Sequence, residues 1–321
     1  MFDRVAFCGS AISDVVGLRS DGVTVWPTGV AQCGAVWLCP VCSAKVKTRR
    51  AAQIQDVCDA HELAGGSFSM MTVTVRHDRL MSLEDSRGAV ARSWRRVQRL
   101  KSWLDLRDRI VGQVAATEVT FGVNGWHPHL HVLLFVAPGV LQQEVDRLKG
   151  PFVEDWLRLV NEELGVRPSV ERGVNFTHIG KDGGAAAGRY LSKIAKELTA
   201  SDMKSGNDPF ALLDGVAEGD AESIARWFEY GEAMSGARSI SWSRGLRDLY
   251  GVDVEQTDLE VLEDDEPYGV LVGFVESGVW NGAWKRDEVH LLLVAVEDAL
   301  DAGEIDPFGE SPPALIGFRP G

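Results

Sequence analysis

The sequence predicts an α+β protein, a central antiparallel sheet flanked by helices with an N-terminal Cys-rich zinc-binding module. Three observations predict it. Strand-like and helix-like apolar periods alternate from residue 66 to residue 200, Asn124-Gly125 joins two of the strands, and all five cysteines lie within the first 60 of the 321 residues. Asn-Gly between apolar runs favours a two-residue type I′ turn, which makes its flanking strands antiparallel. Three regions follow: a Cys-rich zinc-knuckle and basic-helix module at 1–62, a candidate catalytic domain at 63–250, and an acidic region of unassigned role at 251–321.

The elements read in order. Ser43 to His61 is basic, Ala-rich and helical, and Ser69 to Val75 is a β-rich strand. Asp85 to Leu104 spaces Val90, Trp94, Val97, Leu100, Trp103 and Leu104 as a single helix would. Gln113–Phe121 and His129–Val136 are the hairpin strands. Val140 to Leu164 is helical but interrupted at Gly150-Pro151, since proline lacks the N–H and crowds the preceding turn. A short strand at Val174–Ile179 and a helix at Gly183–Leu198 complete the central region. Farther on, Asp258 to Glu266 reads as an acidic linker and Asp287 to Ala302 as an amphipathic helix.

Composition excludes some classes. No apolar run approaches the roughly 20 residues that span a bilayer, and Met1-Phe2-Asp3-Arg4 does not open a secretory signal. A cytoplasmic protein with reduced cysteines is expected. The net charge of −14 is unevenly spread: residues 1–200 carry 25 Lys+Arg against 21 Asp+Glu, and residues 201–321 carry 8 against 26. The first part can meet a phosphate backbone, and the last would be repelled by one.

Gly125 to Phe135 places three of the seven histidines on five residues and then runs into an apolar strand. Residues two apart on a strand share a face, so His129 and His131 project together. With Asn124 and Gly125 as the turn, Glu118 falls opposite His131 and Thr120 opposite His129. One carboxylate and two imidazoles then form a divalent-metal site with open positions, as catalysis requires. His127 has the same parity but precedes Pro128 near the turn, and both a ligand role and a substrate contact stay open.

On the helix Gly183–Leu198, Tyr190, Lys193 and Glu197 share one face beside the apolar stripe of Ala187, Leu191, Ile194 and Leu198. A phenol attacks phosphorus once a cation stabilises the developing charge.

These motifs resemble the HUH endonuclease superfamily, and within it the rolling-circle plasmid replication initiators (Rep proteins) of actinobacterial type. The likeness runs from about Cys33 to Leu246 and includes Cys39-Pro40-Val41-Cys42-Ser43, Thr72-Val73-Thr74-Val75-Arg76-His77, Glu118-Val119-Thr120, His127-Pro128-His129-Leu130-His131, Tyr190-Leu191-Ser192-Lys193 and Trp242-Ser243-Arg244-Gly245-Leu246. It implies the HUH nuclease fold and a Mg²⁺ or Mn²⁺ ion on Glu118, His129 and His131. It implies that Tyr190 attacks a single-stranded origin segment, leaving a 5′-phosphotyrosine and a 3′-hydroxyl, and that Lys193 stabilises charge or positions the phosphate and metal site. Some relatives carry a Glu four residues before the Tyr. Here that position is Ala186, and Glu197 is the substitute we name.

Cys39-x-x-Cys42, with Cys33 and Cys8 upstream, offers four thiolates for a structural Zn²⁺, and Cys58 reads as a core residue. Lys45, Lys47, Arg49 and Arg50 are candidate contacts to duplex origin DNA or a solvated helix face, and Arg189 is a candidate contact to the strand. Origin DNA is the expected partner, with a host helicase and polymerase downstream. The rivals are a transposase or relaxase of the same chemistry, a non-enzymatic zinc-dependent DNA-binding regulator, and a small-molecule metallohydrolase.

Overall fold

A computed structural model describes residues 2–20, 25–166, 168–169, 173–179, 208–251, 257–263 and 270–305. The expected helix Gly183–Leu198, with Arg189, Tyr190, Lys193 and Glu197, lies outside the described residues. In chain order the elements are α1 (Phe2–Ala6), β1 (Val15–Ser20), β2 (Val25–Thr28), α2 (Pro40–Leu63), β3 (Ser67–Thr74), α3 (Leu83–Val97), α4 (Lys101–Arg107), β4 (Ile110–Gly122), β5 (Gly125–Val136), α5 (Gln142–Leu164) and β6 (Val174–Ile179). A 3₁₀ turn (Pro209–Ala211), α6 (Leu212–Glu218), α7 (Ala221–Ala233), β7 (Ile240–Trp242), α8 (Leu246–Leu249), α9 (Asp258–Glu263), β8 (Val270–Glu276), α10 (Ser277–Lys285) and α11 (Val289–Asp301) follow. The chain forms two compact units, residues 43–255 and residues 1–42 with 256–321. Among the described residues no helix is long and apolar enough to cross a membrane.

The larger unit is built on a five-stranded antiparallel sheet in the order β6-β3-β5-β4-β7, with the histidine strand at its centre as expected. Period-two alternation sorts β5 cleanly. Leu130, Val132, Leu134 and Val136 join Met71, Val73, Ala115, Trp103, Phe152 and Trp156 in a core beneath α3, α4 and α5. Leu133 and Phe135 turn the other way, onto Ile54, Val57 and Cys58 of α2, so Cys58 is a core residue. His127, His129 and His131 share that second face, at the end of the strand where the apolar packing stops.

Two expectations about helices are corrected. The span Asp85–Leu104 is two helices, because Leu100 is extended (φ −89°, ψ 156°). Val97 and Leu106 are nine residues apart, as are Trp94 and Trp103, and nine residues of unbroken helix rotate a side chain by about half a turn. The break lets Trp103 and Leu106 reach the same core as Val97. By contrast, α5 continues through Gly150 and Pro151. Val145 before the exposed proline and Phe152, Trp156, Leu157, Leu159 and Val160 after it are buried, and that packing outweighs its cost of about 3 kcal/mol.

The smaller unit holds a three-stranded antiparallel sheet, β2-β1-β8, over a core that includes Val16, Leu18, Val272, Val275, Trp280 and Leu292. The acidic stretch read as a linker is in part the helix α9. Thr257 and Glu260 form its capping box, the Glu260 N–H donating to Thr257 Oγ1 (3.2 Å) and the Thr257 N–H to Glu260 Oε2 (2.6 Å). Val261 and Leu262 are buried, which anchors an otherwise acidic turn.

Candidate metal centres

Gly122 pairs with Gly125, so Val123 and Asn124 form the β4–β5 turn rather than Asn124 and Gly125. Gly125 has φ +85°, and a Cβ there would stand 2.9 Å from the Asp78 carbonyl oxygen. Its close approach to the Asp78–Arg79 backbone, and the burial of Trp126 against Tyr230, set the register in place of local turn preference. The slip corrects the expected pairing: Glu118 faces His129, Ala116 faces His131 and Thr120 faces His127. Because it moves each partner by two residues, every side chain keeps its face and the cluster survives.

Glu118, His129 and His131 offer ligand atoms within 4.8 Å of one another and could hold a metal ion. Glu118 Oε2 lies 2.8 Å from His131 Nε2 and 3.7 Å from His129 Nδ1. Burial pushes the Glu118 carboxyl up, but the His131 hydrogen bond and the charges of His131, His129 and Lys47 outweigh it and leave the pKa lowered. Burial chiefly drives His129 down to about 4, with Glu118 opposing, so the ring is neutral and ligand-competent at neutral pH. His129 Nδ1 is itself buried with no hydrogen-bond partner among the described residues, an orphan that a cation would satisfy. His131 Nδ1 is 3.0 Å from Thr72 Oγ1 on β3, the outer-shell contact that orients a ligating imidazole. Two imidazoles and one carboxylate suit a borderline or hard divalent ion.

His127 stands beside this group rather than in it. Its ring stacks on His77 (centroids 4.2 Å) and sits tilted against His129 (3.8 Å), and burial, then the neighbouring histidines, lower it to about 3. Lys47 does not lie on a solvated face: it is held within electrostatic reach of Asp208 and Glu118, and burial lowers its pKa. Arg50 is buried, its Nη1 donating to Gln53 Oε1, while Lys45 and Arg49 are half-buried. Asp208, Thr72 and His77 are the neighbours that sequence reasoning did not assign. Asp208 accepts from the Phe210 N–H as a cap, which is all that Asn207-Asp208-Pro209 announces. Its other oxygen is buried without a partner among the described residues, and burial raises its pKa.

Cys8, Cys33, Cys39 and Cys42 form a second group able to hold a metal ion. Their sulfurs are separated by 3.4 Å (Cys8–Cys42), 3.5 Å (Cys8–Cys39) and 3.7 Å (Cys33–Cys42). A tetrahedron of thiolates about 2.3 Å from zinc spaces its sulfurs by about 3.8 Å, close to these values. Backbone N–H groups of Ala35 and Cys42 donate to the sulfurs of Cys33 and Cys39. Hydrogen bonds from Cys39 and Cys8 lower Cys42 and favour its thiolate. Cys8, far upstream in sequence, is placed by α10: Trp284 Nε1 donates to the Cys8 carbonyl and Trp280 Nε1 to that of Gly9.

A hairpin sheet with two imidazoles and a carboxylate on one face, in a chain that also gathers four thiols, defines an α+β protein with two candidate metal centres. The chain belongs to the Rep_1 family of replication proteins, whose family model matches residues 30–273. That span holds Glu118, His129, His131, Cys33, Cys39 and Cys42. "Protein rep" of Streptomyces lividans is 31% identical, the alignment covering 96% of this chain and 82% of the relative. "Protein rep" of Lentilactobacillus hilgardii is 24% identical over 71% of this chain and 69% of its own length. A "Neomycin resistance protein" of Streptomyces cyanogenus is 34% identical over 39% of this chain and 35% of its own. The resemblance read from the motifs agrees with this membership.

Proposed function

We propose that the protein initiates rolling-circle replication of a plasmid by nicking and rejoining one strand of the origin, as a metal-dependent, sequence-specific endonuclease. The observation that carries this reading is the Glu118–His129–His131 cluster, with its orphaned imidazole nitrogen, in a chain of the replication protein family. Mg²⁺ or Mn²⁺, when bound, polarises the scissile phosphate as a Lewis acid. Once an ion replaces the Nε2–Glu118 hydrogen bond, Thr72 Oγ1 can accept from His131 Nδ1–H and so hold the tautomer that ligates through Nε2. Lys47 adds positive charge on the cluster's flank, where a phosphate would sit, and the neutral His127 is a substrate contact beside it.

Tyr190 is the nucleophile. Its phenolic oxygen forms a bond to phosphorus as the bond from phosphorus to the 3′-oxygen breaks. The phenol gives up its proton to a base, and the departing 3′-oxygen takes one up. One phosphodiester replaces another, so the 5′-phosphotyrosine retains the energy needed to rejoin the strand. Lys193 stabilises the charge, Glu197 activates water or the 3′-hydroxyl at the closing step, and Arg189 contacts the strand. Zinc on the four cysteines is structural. The protein works in a reducing cytoplasm, upstream of a host helicase and polymerase.

The test is covalent trapping. Wild-type protein with Mn²⁺ and a single-stranded origin oligonucleotide should give an adduct that survives denaturation, and Tyr190→Phe should give none. Cleavage that persists when Glu118, His129 and His131 are all alanine overturns the metal assignment. Binding of the oligonucleotide without nicking points to a regulator.

A further inference from the structure

The reverse face of the sheet carries a second feature, which neither the metal cluster nor the Tyr190 helix accounts for. A cavity of about 870 Å³ opens between α3, α4, β4 and β7 and ends at Pro128 and His129 of the central strand. Its wall holds Arg87, Arg95, Arg107, Arg238 and Arg244 and, among the described residues, no acidic one, in a chain whose net charge is −14. The half-buried Trp94 lines it too, and so does Trp242, whose ring packs toward the other core with Arg247 over it.

The arginines of α3 are sorted by face. Arg92 and Arg96 point at α5, where Glu162 and Glu163 neutralise them. Arg87, Trp94, Arg95 and Gln98 share the opposite face and line the cavity. Arg95, Arg107 and Arg244 make no ion pair with any described residue, and the buried Nε of Arg87 lacks a partner among them. At the floor, Gln113 is only 8% exposed, and its Oε1 is buried with no hydrogen-bond partner among the described residues. A buried amide oxygen left so is costly unless a ligand completes it.

We propose that this groove holds single-stranded DNA. Arginines seat its phosphates, Trp94 stacks on a base, and the Gln113 amide meets a base edge. A duplex does not fit this chemistry, because its base faces are already covered by their neighbours. The proposal rests on the reading that the chain acts on DNA. It gives the strand a second seat, lined mostly from the helix-covered face of the sheet and reaching the metal cluster only at His129.

The test uses the full chain with no Mg²⁺ or Mn²⁺ added, so that nothing is cut, and a short fluorescent oligonucleotide followed by anisotropy. Reversing charge in the exposed pair Arg95→Glu/Arg107→Glu should weaken binding tenfold or more. It should also reduce the slope of log K against log salt by about 1.4, the value for two lost single-strand phosphate contacts. Trp94→Ala should weaken binding about 5- to 100-fold. Gln113→Leu should narrow the differences among dA, dC, dG and dT oligonucleotides while leaving the salt slope in place. Unchanged affinity in both the Arg95/Arg107 and the Trp94 variants overturns the proposal. So does equal affinity for duplex and single strand, or saturation by a free deoxynucleotide without binding of the oligonucleotide. Adduct formation with Mn²⁺, measured in parallel, separates the two readings. An adduct with groove variants that bind normally removes the groove alone. Groove-dependent binding without any adduct removes the nicking reading alone.

Discussion

At the scale of single residues, the candidate metal cluster is positioned by groups that would not themselves ligate an ion. Thr72 holds the far side of the His131 ring, so Thr72→Val should lower Mn²⁺ affinity about 10- to 100-fold. Calorimetric titration of the folded variant checks this, and an unchanged affinity would leave Thr72 a bystander. The buried histidines also set a pH dependence. His129 has a folded pKa of about 4 and His127 of about 3, both below the ordinary 6.5. Between those values the unfolded chain binds protons that the folded protein refuses, so stability is complete above pH 6.5 and declines as pH falls toward 4. Each histidine contributes at most about 1.4 kcal/mol per pH unit in that window. Urea melts of metal-free protein at neutral and mildly acid pH should show the decline, and His129→Gln should flatten it.

At the scale of elements, the strands were more legible than their junctions. Alternation alone identified β3, β4, β5 and β6, and with them the face shared by Glu118 and the histidines, because period two is imposed by the pleat itself. Registers are decided elsewhere. The β4–β5 turn moved because Gly125 packs on the Asp78–Arg79 backbone, a contact that lies far away along the chain. Gly125→Ala should therefore cost about 1–3 kcal/mol, from a positive φ and the approach to the Asp78 carbonyl. A melt unaffected by that change would show that the hairpin tip yields easily. The capping box at Thr257–Glu260 is a local signal that the linker reading of this acidic run passed over, whereas the kink at Leu100 answers to core packing and has no local signal. Asp208 and Lys47 were illegible as neighbours of the cluster for the same reason: their meeting with Glu118 is a product of tertiary folding.

At the scale of the whole molecule, the two units should melt as separate transitions, since each has its own sheet and core. Zinc bound to the four cysteines would stabilise only the smaller one. One zinc per chain is expected by elemental analysis, and chelation or Cys42→Ser should lower one calorimetric transition and spare the other. A single transition that moves as a whole would mean that the units are energetically fused.

The order β2-β1-β8 has a consequence for how the protein is made. The middle strand of that sheet leaves the ribosome near the start of synthesis, yet one of its two neighbours, β8, emerges only after about four-fifths of the chain has been translated. The residues from Ser43 to Glu255 can be complete while the N-terminal strands still wait with one edge open. Cys8 waits with them, because the tryptophans that hold its neighbourhood arrive later still. A nascent chain cut short between residues 256 and 284 would carry a finished larger unit and an unfinished cysteine cluster, so assembly of that cluster reports that translation has passed residue 284.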